Sequence, residues 1–343
     1  MSHQEKSTTH SSLVWGKETQ YFFELGPDQI LNAIEQQGYI CTGRCFALNS
    51  FENRVYEIEI ESDDKTPLAH KKVAKFYRPG RWSKAQILEE HAFLLDLQKN
   101  EIPVVAPEIF PDATTLKTTD TGIHFCVFPK VGGRLLEEPN TDDYLQLGRL
   151  VARIHQVGQS QSFAHRYQLN EKSFALDHLQ FLTQEWQEFP MHHAQKFSSL
   201  VTDIAHYAQP LFAQFTSIRL HGDCHFGNIL KNQEQVFFVD FDDCIAAPEI
   251  QDLWLLAKVT EAKPFTNPDF NILIEGYEQI RPFNPAQAQL AAPLRAMRMI
   301  HFSAWIARRW QDPSFPQAFP EFNSEKYWQE QINELENIVQ NFH

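Results

Sequence analysis

The chain has 343 residues, 43% apolar and 22% charged, a globular composition with length for about two domains. Its 30 basic and 44 acidic side chains give a formal charge of −14, which repels phosphate backbones and anionic lipid and argues against nucleic-acid or membrane-surface partners. No apolar run approaches the ~20 residues of a membrane span; residues 1–12 lack the apolar core of a secretory signal, and five sparse cysteines (Cys41, Cys45, Cys126, Cys224, Cys244) fit a reducing, cytoplasmic setting.

In chain order, residues 1–24 read as a disordered or extended lead-in. Residues 27–37 read as a helix with Ile30, Leu31 and Ile34 on one face and Gly38 as a stop. Residues 45–48 and 54–60 read as two strands around a polar turn; Tyr56, Ile58 and Ile60 alternate with Val55, Glu57 and Glu59. Residues 72–76 give a third strand, 83–98 a helix, and 123–128 an apolar strand ended by Pro129 and Gly132-Gly133. Residues 142–156 are helical, and helices dominate the rest. The exception is an island at residues 219–243 with short strands at 229–230 and 236–239. The expected fold is α+β in two unequal lobes, a strand-rich N-lobe at residues 25–131 and a larger helical C-lobe at 132–343.

The island carries the chemistry. His221-Gly222-Asp223-Cys224-His225-Phe226-Gly227-Asn228 places an Asn five residues after the Asp of H-x-D, and Asp240 follows 17 residues after Asp223. That is the spacing of a kinase catalytic loop and its metal-binding Asp. Phosphoryl transfer needs positioning and charge neutralisation, so a carboxylate such as Asp223 can hold an acceptor hydroxyl and take its proton. The hard oxygens of Asn228 and Asp240 suit Mg²⁺. A metal hydrolase using His221, Asp223, His225 and Asp240 is a rival reading.

Upstream pieces fit a nucleotide kinase. The polar turn at residues 49–53 can lay backbone N–H groups and the Ser50 hydroxyl on phosphate, although it lacks a G-x-G-x-x-G pattern. Lys75 sits within an apolar strand and needs anionic partners; Glu89 or Glu90 on the next helix can supply one. Residues 125–129, including Phe128, offer a linker backbone to an adenine edge. Asp252 opens an apolar helix and either holds the catalytic-loop backbone or simply suits the helix dipole. Arg295, Arg298, Arg308 and Arg309, interleaved with Phe302, Trp305 and Trp310, read first as stems packed on apolar surface, and second as an acceptor groove. Arg78 and Arg81 read as an exposed loop; Trp15, Trp82 and Trp254 read as packing anchors.

These motifs resemble the phosphotransferase family of aminoglycoside, choline and homoserine kinases, which has a protein-kinase-like fold. Residues 49–56, 73–79, 86–91, 128–134, 220–225, 251–254 and 293–298 are similar to one bacterial subfamily of it, and the resemblance runs from about residue 25 to the C-terminus. It implies a cytoplasmic Ser/Thr protein kinase that uses ATP and Mg²⁺, autophosphorylates and acts in a stress response. Asp223 is then catalytic, Asp240 is both catalytic and a magnesium ligand, Asn228 is the other magnesium ligand, and Ser50, Lys75, Glu90 and Phe128 serve ATP. The implied partners are ATP and a protein with a Ser/Thr acceptor, and a monomer is expected. A small-molecule kinase on the same fold is the alternative, because ATP motifs do not see the acceptor. A pseudokinase is a further rival, against which the intact Lys75, Asp223, Asn228 and Asp240 count. The short stretch from Asp243 to Gln251 leaves no room for a long activation segment, so regulation by abundance is expected.

Overall fold

The computed structural model describes residues 17–66, 68–233, 235–259 and 263–342. Residues 1–16 of the expected lead-in, with Trp15, lie outside them. The chain divides into two compact units.

The first unit comprises the described residues up to Lys84, together with Glu108–Lys130. It holds α1 (Lys17–Glu24), α2 (Pro27–Glu35), β1 (Cys41–Leu48), β2 (Arg54–Ile60), β3 (Lys71–Phe76), β4 (Lys117–Thr118) and β5 (His124–Pro129). The five strands form one antiparallel sheet in the order β1-β2-β3-β5-β4. The end of the expected lead-in is helical instead, because Phe22 enters the core beside Leu25, Ile30 and Ile34. α2 starts with Pro27 in its first turn and stops before Gly38 at φ +93°, a left-handed backbone that glycine adopts without a Cβ clash. On β2, Tyr56, Ile58 and Ile60 are buried, as the alternation requires. Phe76 stacks on Phe125 at 5.2 Å across β3 and β5.

The second unit comprises Ala85–Pro107 and the described residues from Val131 onward. Its elements are α3 (Lys84–Lys99), β6 (Arg134–Leu135), α4 (Thr141–Gly158), α5 (Asp177–Gln180), α6 (Ala194–Phe212), β7 (Ile218–Leu220), β8 (Ile229–Lys231), β9 (Val236–Phe238), β10 (Ile245–Ala247), α7 (Ile250–Leu256), α8 (Pro268–Glu278), α9 (Ala291–Arg308), α10 (Ser314–Ala318) and α11 (Glu325–Gln340). Two small sheets, β6-β8-β9 and β7-β10, flank the island. The sequence reading grouped α3 with the strands; the structure ties it to the helical unit. Glu89 accepts from the backbone N–H groups of Ala164, His165 and Arg166 at 2.5, 2.9 and 2.7 Å, and Val104 bridges Phe238.

Two glycines set the contact between α4 and α8. A Cβ on Gly148 would meet Leu273 O at 2.1 Å, and one on Gly276 would meet Leu145 O at 2.3 Å. Both obstacles are backbone, so neither can swing aside. Gly148→Ala therefore forces the helices apart and is expected to cost ~3 kcal/mol by overpacking. Thermal denaturation reads this as a Tm several degrees lower; an unchanged Tm would show that the helices separate freely.

Candidate active site

The site grows from the end of β7. Leu220 pairs with Ile245 of β10, and the chain then leaves the sheet as the loop from His221 to Asn228. Gly222 turns it at φ +84°, with Asp243 O only 2.2 Å from where a Cβ would stand. His221 is fully buried; its ring lies against Phe241 at 4.3 Å and its Nε2 donates to Val239 O at 3.0 Å. The loop is thereby tied to the segment that carries Asp240.

Asp252 of α7 holds the loop from below. It is 1% exposed. Its carboxylate accepts from the backbone N–H of His221 at 3.1 Å and of Gly222 at 2.9 Å, and meets His155 Nε2 at 3.2 Å. His155 in turn meets the Tyr277 hydroxyl at 2.9 Å. Gln251 Nε2 donates to Gly222 O at 2.8 Å, and Trp254 Nε1 donates to Gln251 at 3.3 Å. Of the two readings of Asp252, the backbone-holding one is realised. Sequence reasoning missed His155; a histidine on the apolar face of α4 was its signal.

Asp223 is reachable, with its side chain 26% exposed. Its Oδ2 faces His225 Nε2 at 3.2 Å and its Oδ1 accepts from Arg298 Nη1 at 2.6 Å. His225 Nδ1 accepts from Gly227 N at 2.9 Å, so the proton sits on Nε2 and points at Asp223. Burial alone would raise the Asp223 pKa; the His225 and Arg298 donors overcome it and hold the carboxyl well below the usual range. Asn228 Nδ2 donates to Asp223 O at 3.0 Å. That bond fixes the amide and leaves its Oδ1 as the oxygen open to a cation. Val239 N donates to Asn228 O at 3.0 Å, so β8 and β9 return Asp240 to the loop as expected. Asp240 is exposed and takes a left-handed backbone at φ 59°, ψ 64°.

Behind Asp240 the backbone is clamped by Arg166, 6% exposed. Its Nη1 donates to Asp242 O and Cys244 O, its Nε to Gln86 O, and its Nη2 to Glu90 Oε2 at 3.0 Å. The Glu90 carboxylate, expected from the sequence to brace Lys75, accepts this bond from Arg166. No local pattern announced Arg166.

Of the four arginines read as one face, two pack on aromatic rings as expected and a third is ion-paired. Arg295 pairs with Glu334 at 2.5 Å, Arg308 lies over Phe181 at 4.3 Å, and Arg309 donates to Trp305 O at 3.0 Å. Arg298 alone reaches the loop, and the sequence did not single it out.

In the first unit, Ser50 Oγ accepts from Asn53 N at 3.3 Å and shapes the turn between β1 and β2. Arg78 is not on an exposed loop: its Nε donates to Glu52 O at 2.9 Å and its Nη2 to Phe51 O at 3.2 Å, bracing that turn. Lys75 is 5% exposed on β3, with Nζ 4.8 Å from the Tyr77 ring centre. Phe128 is half-buried on β5 opposite Val73. Trp254 is buried, as an anchor should be.

The hydrolase rival finds no support. His221 Nε2 is engaged by Val239 O and both ring nitrogens of His225 by Asp223 and Gly227, and among the described residues no three His, Cys, Asp or Glu ligand atoms gather there. Burial holds the Cys224 thiol well above its ordinary pKa and pushes Cys244 up to about 12, so neither offers a thiolate.

Comparison with known proteins bears on the family and the fold. The profile of the phosphotransferase enzyme family matches residues 46–291. The chain is 39% identical over 312 residues to stress response kinase A of Escherichia coli O157:H7, covering 90% of each chain. It is 38% identical over 310 residues to serine/threonine protein kinase RdoA of Salmonella typhimurium, covering 90% of this chain and 91% of the relative. The solved structure of an amicoumacin kinase superposes with a TM-score of 0.66 at 17% identity, covering 90% of this chain and 93% of that one; at that identity it speaks for the fold. The α+β architecture is the protein-kinase-like one expected from the sequence, and the chain belongs to the phosphotransferase enzyme family.

Proposed function

We propose that the chain transfers the γ-phosphoryl group of ATP to Ser/Thr hydroxyls of proteins, itself included, as a cytoplasmic monomer in a bacterial stress response. The observation that carries the chemistry is the loop in which Asn228 is fixed to the Asp223 backbone while Asp223 stays ionised and reachable. Asp223 Oδ1 and Oδ2 each keep a lone pair beyond the bonds to Arg298 and His225, and the acceptor hydroxyl donates there. As the acceptor oxygen bonds to the γ-phosphorus and the bond to the ADP oxygen breaks, the hydroxyl proton passes to Asp223.

The donor set fits Mg²⁺: Asn228 Oδ1 and the Asp240 carboxylate are hard oxygens without nitrogen or sulfur competitors. Bound there, the ion would neutralise charge on the nucleotide phosphates. Ser50 and Lys75 would hold phosphate, Phe128 would offer backbone to the adenine, and Glu90 would steady this machinery through Arg166. The protein acceptor is supported by the names of the relatives, one of which is a serine/threonine protein kinase. The small-molecule reading is favoured by the fold neighbour, a kinase solved with AMP-PNP, Ca²⁺ and amicoumacin. Transfer of label from γ-labelled ATP decides between them. Label on protein supports the first reading; label only on a pool of small hydroxyl compounds supports the second; no label with ATP still bound leaves a pseudokinase.

Arg298 gives this reading a pH signature. A carboxylate with a lowered pKa stays ionised until the pH falls through that low value, so the wild-type enzyme keeps its base at mildly acidic pH. Arg298→Met removes one of the two donors that lower it. The acid limb of the kcat/KM profile is expected to move to higher pH, with Arg298→Lys restoring part of the shift. A superimposable profile would show that Arg298 does not act on Asp223.

A further inference from the structure

Well away from the catalytic loop in sequence, and sharing no residue with it, two histidines and a glutamate converge. His192 Nε2 lies 3.0 Å and His193 Nε2 2.7 Å from the same Glu325 Oε1. The two ring centres lie 4.1 Å apart with their planes inclined at 42°. All three ligand atoms lie within 4.8 Å of one another, the only such His/Cys/Asp/Glu group among the described residues. We propose that His192, His193 and Glu325 form a binding site for a divalent transition ion of the zinc type, joining the entrance of α6 to the start of α11.

The chemistry selects the ion. Two imidazoles and one carboxylate suit Zn²⁺ and its neighbours, whereas Mg²⁺ prefers an all-oxygen shell. Tetrahedral Zn²⁺ with ligands at about 2.0–2.1 Å sets adjacent donors roughly 3.3 Å apart. The observed separations of 3.0 and 2.7 Å open by about 0.3 and 0.6 Å to reach it, and the two nitrogens lie within 4.8 Å of each other. On binding, each ring shifts its Nε2 proton to Nδ1 by exchange with solvent, so that two neutral imidazoles offer Nε2 lone pairs to the ion, and water completes the shell from the open side, where His192 and Glu325 are 62% and 61% exposed.

The frame is held without the three ligands. Ser324 caps α11 by accepting from Tyr327 N at 3.1 Å, and Asn323 Nδ2 donates to Glu188 at 2.8 Å. Trp328 of α11, fully buried, packs on Phe189 at 4.7 Å and Phe197 at 5.9 Å. The segments that carry His192–His193 and Glu325 are therefore fixed by bonds an ion would not disturb, so binding needs little reorganisation. The ligands come from segments 132 or more residues apart, so a bound ion cross-links the helical unit.

The test uses the full chain, stripped with chelator and titrated with Zn²⁺ in nucleotide-free buffer by calorimetry. One equivalent is expected to bind with a Kd below about 10 µM and to raise the Tm by about 3 °C or more at saturation. Co²⁺ in the same site should give visible d–d bands with no thiolate charge-transfer band, which separates it from the cysteines. The exposed pair is varied so that folding is spared: His192→Ala and Glu325→Gln should each weaken binding at least about tenfold while leaving the zinc-free Tm close to wild type. No stoichiometric binding, unchanged affinity in both variants, or a thiolate band would overturn the proposal.

Discussion

Asp223→Ala should lower phosphoryl transfer by about 10³-fold or more, with ATP binding kept. In the proposed reaction this carboxylate receives the acceptor proton, and two donors already fix its orientation. Its removal leaves the fold intact, since the Asn228 bond is to the Asp223 backbone oxygen rather than to the side chain. The variant should therefore match wild type in thermal denaturation and differ in single-turnover rate with γ-labelled ATP. Asp223→Asn should be nearly as impaired: the amide retains the shape but loses the basic oxygen. A fall in nucleotide affinity instead of rate would mean that Asp223 serves binding and that another group takes the proton.

Asp252→Ala should be the most destabilising single change in the site, by ~3–5 kcal/mol. The carboxylate is buried and accepts three donors, the N–H groups of His221 and Gly222 and the His155 ring. Truncation leaves the N–H groups of His221 and Gly222 and an imidazole nitrogen without this acceptor. Chemical denaturation should show the loss as a lower midpoint with a similar slope. Activity should fall too, because Gly222 would lose the bond that sets the turn before Asp223. A variant with wild-type stability would show that the loop is held by its own turn geometry, and that Asp252 is merely the acidic residue a helix start favours.

What could be read from the residues follows from distance along the chain. Asp223, Asn228 and Asp240 sit on one loop and one hairpin, so their spacing already contains their geometry. β2 was legible to its ends because alternate residues face a core. The three-residue β8 and β9 were found by the turn between them, whereas the equally short β7 and β10 have neither a period nor a joining turn to mark them. The groups that tune the site stayed hidden for a different reason. Arg298 joins Asp223 across 75 residues, Arg166 joins Glu90 across 76, and His155 joins Asp252 across 97. Such pairs are products of tertiary placement, and four arginines with one composition took four different partners. Lys75, Ser50 and Phe128 lie on the strands or turns expected of them, which leaves their roles toward ATP to the labelled-transfer experiment.

The clamp on the backbone after Asp240 bears on pharmacology. A ligand that needed Asp240 and the residues behind it in a rotated form would have to work against that clamp. Here that rotation would have to strip Arg166 from two carbonyls and break the β7–β10 ladder together. Compounds built for a displaced segment should thus find no foothold on this chain, and screening is better directed to molecules that engage Asp223 and Arg298 as they stand.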